Sequence, residues 1–91
     1  MVKKRILVVG VGSIGERHVR CFQSTGRTVI GICEPNHVQR EQVNERYMIT
    51  ESFGSLDQAL TAGWDAAVVA TPAHTHIVVA TQLAEYGTHL L

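Results

Sequence analysis

The chain has 91 residues, 45% of them apolar and 18% charged, which suits one small domain and excludes a disordered tail. Eight Lys and Arg balance eight Asp and Glu, so the formal charge is zero and no nucleic-acid or membrane partner is expected. No apolar run approaches the ~18 residues of a bilayer span, and the run that ends at Gly10 is too short for a secretory leader, so the expected location is cytoplasmic.

Residues 5–9 (RILVV) form an apolar run of strand length, as in a strand covered on both faces. The cations before it, Lys3, Lys4 and Arg5, read as a solvated approach to that strand. Residues 13–25 read as a helix whose packing face carries Ile14, His18, Cys21, Phe22 and Thr25, with Gly26 as its stop. A second strand covers 28–33 and ends at Glu34. Pro35 cuts it, and Asn36 caps a polar helix over 37–46. Residues 47–50 are a weak third strand. Ser55 and Gln58 have capping-box spacing and open a short helix that Gly63 ends. A fourth strand covers 66–70 and stops at Thr71-Pro72. A last helix over 75–86 packs through Ile77, Ala80, Leu83 and Ala84, and residues 88–91 begin a fifth strand. Strands alternating with helices at this spacing predict an α/β fold, a doubly wound parallel sheet of Rossmann-like type. The pattern reads as one domain over 1–91, incomplete at its C-terminal end and belonging to a longer protein. The outer strand is then an open edge, which predicts a homo-oligomer.

The chemistry gathers in three places. Gly10-Val11-Gly12-Ser13-Ile14-Gly15 fits GxGxxG, follows a strand and opens a helix, as a dinucleotide loop does. Gly10 then serves the turn, Gly12 the approach of a pyrophosphate, and Gly15 the helix–strand contact. The amides of Ser13 and Ile14 lie where a helix start favours an anion. Glu34 stands nineteen residues past Gly15, where an acid takes the ribose hydroxyls and repels a 2′-phosphate. That favours NAD, while Arg40 about a turn later keeps NADP in play. Thr71 and Pro72 end the fourth strand, on the nicotinamide side of such a cleft. The five histidines show no HExxH and no ligand spacing, so no metal is expected; His18 reads as a helix-surface or packing residue. Cys21 and Cys33 lack any CxxC and read as buried, reduced thiols.

The segments GVGSIGERH at 10–18, DAAVVATPAHTH at 65–76 and AEYGTHLL at 84–91, with the acid at Glu34, together resemble the Gfo/Idh/MocA oxidoreductases. The resemblance spans essentially the whole chain and about the first quarter of a usual family member. It implies NAD(P)-dependent chemistry at a sugar, cyclitol or related hydroxyl carbon. It carries cofactor contacts to Gly10, Gly12, Ser13, Ile14, Gly15, Glu34, Thr71, Pro72 and His76. Many members have Asn where this chain has Ala73. The family's Glu-Lys-Pro motif would begin past Leu91, so the resemblance assigns no catalytic residue to this chain, and small-molecule substrate is expected only of the full-length parent. The rival from another class is a nucleotide-sensing regulatory module without hydride chemistry; the Thr-Pro-x-x-x-His segment speaks against it.

Overall fold

The structure is a computed structural model that describes residues 3–91; Met1 and Val2 lie outside the described residues. Its order is β1 (Lys4–Val9), α1 (Ser13–Ser24), β2 (Thr28–Cys33), α2 (His37–Tyr47), β3 (Glu51–Phe53), α3 (Leu56–Leu60), β4 (Ala66–Val69), a 3₁₀ turn at Ala73–Thr75, α4 (His76–Glu85) and β5 (His89–Leu90). All pairings are parallel and the sheet order is β3-β2-β1-β4-β5. The chain winds outward from β1 to β3, then crosses back to lay β4 on the other side of β1. This is the doubly wound α/β fold, with its switch point between β1 and β4.

Strand alternation divides the core between the two faces of the sheet. Ile6 and Val8 join Val19 of α1 and Val43 of α2, whereas Leu7 and Val9 join Leu60 of α3, Trp64 and Leu83 of α4. Gly31 of β2 makes room for the indole: a Cβ there would lie 2.1 Å from the Trp64 ring. At the opposite end of the strands from the glycine loop, Arg5 is not the solvated residue its neighbours suggest. Its guanidinium grips both Glu51 carboxylate oxygens at 2.9 Å and lies 4.5 Å from the Trp64 ring centroid, which clasps the starts of β1 and β3.

The local signals for caps and stops match the structure. Asn36 Oδ1 accepts from the Gln39 amide at 3.0 Å and Ser55 Oγ from the Gln58 amide at 3.4 Å. Gly26, Gly63 and Gly87 follow their helices with positive φ.

Besides Arg5, four expectations are corrected. Residues 47–50 do not form the third strand. Tyr47 lies one turn past the buried Val43 and stays on that helical face, its hydroxyl donating to Glu16 Oε2 at 2.8 Å; Met48 then caps α2 at φ 55°, and β3 begins at Glu51. In α1 the buried face is Gly15 and Val19 with Phe22 beside them, while Ile14 and Cys21 are exposed and Thr25 is the C-cap. In α4, Val79 and Leu83 pack inward, whereas Ile77 and Ala84 face out and Ala80 is half-buried. Cys33 alone of the two thiols is buried. The α1 face turns on Gly15, whose backbone contact with the loop fixes the helix rotation. His18 rests half-buried against the Phe22 ring, as a packing residue.

Candidate functional site

A cleft of about 790 Å³ opens at the carboxyl ends of β1, β2, β3 and β4. This is the size and place of a small-molecule site in an open α/β sheet. The loop after β1 supplies Gly10, Gly12, Ser13 and Ile14; the end of β2 supplies Cys33, Glu34 and Pro35; the β4 loop supplies Ala70, Thr71, Pro72 and Thr75.

Each glycine of the loop meets a different physical demand. Gly10 sits at φ 89°, and a Cβ there would come within 3.0 Å of the Ala70 carbonyl oxygen. Gly15 lies behind the loop, away from the cleft; a Cβ would fall 1.8 Å from the Gly10 carbonyl oxygen, so only glycine lets α1 start there. Gly12 differs from both. Its φ is −65°, open to any residue, and a Cβ would meet no protein atom within 4 Å. Gly12 is among the residues that line the cleft.

Helix α1 makes its first backbone bond from the Glu16 amide to the Gly12 carbonyl, 2.8 Å. The amides of Ser13, Ile14 and Gly15 come before it and have no partner in the helix ladder. With the helix dipole they favour an anion at the cleft floor.

Glu34 directly follows β2 and is only 9% exposed. Its Oε1 accepts from the Val11 amide and its Oε2 from the Asn36 amide, each at 3.0 Å. The carboxylate therefore braces the glycine loop against the start of α2. Each oxygen keeps a further lone pair, so ribose hydroxyls remain within its capacity. Beside it, burial pushes the Cys33 thiol up to about 11, helped by the Glu34 charge and opposed by Arg40. On the far wall, Thr71 Oγ1 is buried with no hydrogen-bond partner among the described residues. An orphaned hydroxyl in a cleft wall fits a ligand that would complete it.

Seven of the nine residues singled out from the sequence thus line one cleft: Gly10, Gly12, Ser13, Ile14, Glu34, Thr71 and Pro72. Gly15 supports the cleft from behind. His76 does not reach it. The 3₁₀ turn at Ala73–Thr75 rotates the start of α4 so that Thr75 and Val79 face the cleft, while His76 and Ala80 line a smaller hollow of about 280 Å³ with Leu90. The side chain of Ala73 lies outside the described part of the structure. Gly54, Ser55 and Leu56, which follow β3 and which the sequence reading does not place in the site, also line the cleft. With the third strand placed at 47–50, these residues fall away from a strand end; placed at its observed position, the carboxyl-end rule finds them. Among the described residues no group of three or more His, Cys, Asp or Glu is placed to hold a metal.

This fold and this site define a class, a dinucleotide-binding α/β domain. The profile of the Gfo/Idh/MocA oxidoreductase family, NAD-binding Rossmann fold, matches residues 4–91, and the chain belongs to that family. Among solved structures it is similar to the WlbA dehydrogenase from Bordetella pertussis, crystallised with NADH and UDP-GlcNAcA, at 31% identity and a TM-score of 0.86, covering 97% of this chain and 28% of that one. It is similar to the UDP-N-acetylglucosamine 3-dehydrogenase GnnA from Acidithiobacillus ferrooxidans at 29% identity and a TM-score of 0.86, covering 100% and 29%. The scyllo-inositol dehydrogenase from Lactobacillus casei, with bound NAD(H) and scyllo-inositol, shares the fold at 18% identity and a TM-score of 0.87, covering 97% and 27%. The chain spans 26–29% of the length of these and five other solved structures it matches. No curated protein matches it. Among the described residues no helix is long and apolar enough to cross a membrane.

Proposed function

We propose that these 91 residues hold the dinucleotide of an NAD(P)-dependent oxidoreductase acting at a hydroxyl carbon of a sugar or cyclitol. The observation that carries this reading is Gly12, a glycine that neither its backbone angles nor any neighbouring protein atom requires, set on the wall of the cleft. The site fits such a cofactor on further counts. The free amides of Ser13 and Ile14 suit a pyrophosphate, Glu34 the ribose hydroxyls, and the orphaned Thr71 hydroxyl the nicotinamide half. When bound, the cofactor supplies hydride exchange at its nicotinamide ring. The chain's own residues bind and orient it.

The substrate class rests on the comparisons. Of the similar structures at 31% and 29% identity, one is a dehydrogenase in complex with UDP-GlcNAcA and the other is named a UDP-N-acetylglucosamine 3-dehydrogenase, which supports a sugar, and within that class a nucleotide-linked one. The residues that hold the substrate and move its proton are assigned to chain beyond this domain, in keeping with its share of those structures. His74 is exposed and His76 lines a second hollow; neither is among the residues lining the cleft, and we assign neither the role of a base there. Self-association through the outer edge of β5, which carries the exposed Leu90, is the assembly we assign to the chain.

Calorimetric titration of the chain with NAD⁺ tests the central point. Saturable binding at one site per chain is expected, and a flat titration of folded protein refutes it. With NAD⁺ and a panel of sugars, polyols and UDP-sugars, the chain alone should form no NADH. Turnover that disappears in His76→Ala would place the chemistry inside these residues. Light scattering that shows only monomer at high concentration would remove the assembly.

A further inference from the structure

Gln39, on the first turn of α2, lines the cleft with a half-buried side chain. Among the described residues its carboxamide makes no hydrogen bond; only its backbone amide is engaged. The sheet order sets the lining of the cleft in a row: the segment after β3, the end of β2, the glycine loop after β1, then the β4 loop. A pyrophosphate at the start of α1 and a ribose on Glu34 leave the purine base of the dinucleotide on the β3 side. We propose that the Gln39 carboxamide oxygen accepts a hydrogen bond from the exocyclic amino group of that base, so that Gln39 selects a 6-aminopurine. This rests on the dinucleotide reading and adds a specificity-determining residue to it.

Three observations carry the inference. The first is elimination. Past Glu34, the cleft is lined on this side by Pro35, Gln39, Gly54, Ser55 and Leu56. Pro35, Gly54 and Leu56 have no hydrogen-bonding side chain, and Ser55 Oγ is engaged as the cap of α3. Gln39 is left as the free polar group. The second is chemical match. A carboxamide sets an acceptor beside a donor, the complement of an amino group beside a ring nitrogen. Pro35 and Leu56 add apolar surface for the flat faces of a purine, in a site that is mostly apolar with few polar groups. The third is placement. The Asn36 amide donates to Glu34 Oε2, and Asn36 Oδ1 accepts from the Gln39 amide, each at 3.0 Å. These bonds tie the backbone of Gln39 to the acid assigned to the ribose. The groups that read sugar and base thus keep a set spacing, and less freedom is lost on binding. The neighbouring Arg40 does not compete for the base, because its guanidinium is held by the Glu34 carbonyl oxygen and His37.

The test compares 5′-AMP with purine riboside 5′-monophosphate, the same nucleotide without its amino group, by calorimetry on the wild-type chain, Gln39→Leu and Gln39→Glu. Thermal melts check that each variant is folded. The wild-type chain is expected to bind 5′-AMP about three- to tenfold more tightly than the analogue, the worth of one neutral hydrogen bond. Gln39→Leu should weaken 5′-AMP by that factor and leave the analogue within about twofold, so that the preference disappears. A role in packing alone would weaken both nucleotides equally. Gln39→Glu keeps an acceptor and should keep the preference, while its charge weakens both phosphate-bearing ligands. The inference is overturned if the wild-type chain binds the two nucleotides alike, if the preference survives in Gln39→Leu, or if Gln39→Glu loses it. In those outcomes the dinucleotide site survives. If the folded chain binds neither nucleotide, that reading falls and this inference with it.

Discussion

Replacing Gly12 and Gly15 separately by alanine divides two roles that one motif combines. At Gly12 the added methyl meets no protein atom within 4 Å, and φ is −65°, so no backbone strain arises. Gly12 is the N-cap of α1, where alanine is a poorer cap than glycine, at a cost under about 1 kcal/mol. The variant should melt within about 8 °C of wild type for a domain of this size. Gly12 lines the cleft, and the same methyl would take space from a pyrophosphate that approaches there. An overpacked contact costs about 1–3 kcal/mol, which weakens NAD⁺ binding by about five- to 150-fold. At Gly15 the methyl would lie 1.8 Å from the Gly10 carbonyl oxygen, and no rotamer relieves a backbone clash of a Cβ. The loop and helix must part, at about 1–3 kcal/mol or more, lowering the melting temperature by roughly 4–24 °C. Circular dichroism melts and NAD⁺ calorimetry read the two axes. Gly12→Ala with wild-type affinity would refute the placement of the pyrophosphate, and Gly15→Ala with a wild-type melt would refute the close contact.

Glu34→Ala should both destabilise and weaken NAD⁺. It strips the buried Val11 amide of its partner, at about 1–3 kcal/mol, and removes the ribose acceptor, at about tenfold or more in affinity; a variant with unchanged melt and affinity contradicts both roles. Cys21 should alkylate readily at pH 8, while Cys33, buried and pushed up to about 11, should react only through opening of the fold. Mass spectrometry after brief iodoacetamide treatment should find one adduct per chain, on Cys21. The Tyr47 hydroxyl and then the Arg46 guanidinium hold the Glu16 carboxyl below the ordinary glutamate range. Its folded value is the lower one, so its contribution is full above that ordinary range and disappears as pH falls through the folded value. The acid limb of the melting-temperature profile should flatten in Glu16→Gln; a profile of unchanged slope removes this account.

What the sequence showed clearly was whatever is written in short-range chemistry. The glycine loop follows its strand without a gap, Asn36 and Ser55 cap the helices they precede, and Glu34 falls at a strand end because Pro35 forces one. What it did not show was decided by contacts distant in sequence. Tyr47 has strand propensity, but its helical register puts its hydroxyl on Glu16, 31 residues back, and that contact extends α2. The buried face of α1 does not show in the apolar pattern because the deciding residue, Gly15, has no side chain to register as apolar. Arg5 looks like solvent-facing charge until Glu51 and Trp64 are brought beside it. His76 shares a motif with Thr71 and Pro72, but one 3₁₀ turn between them sends it to the other side.

The strand order also grades the sheet by local opening. Strand β1 is registered with β2 over six residues and with β4 over four, whereas β3 holds three residues against β2 and β5 holds two against β4. Amide protons of β1 should exchange only through global unfolding, and those of β3 and β5 through smaller openings. The cleft therefore has a rigid floor, where β1 and the start of α1 meet, and softer walls. One wall is the Gly54 segment beside the three-residue β3; the other is the 3₁₀ turn that leads into α4. A ligand bridging the two walls would leave protection in β1 nearly untouched and raise it at the margins. Binding in this small domain would thus be recorded as a slowing of exchange at its edges.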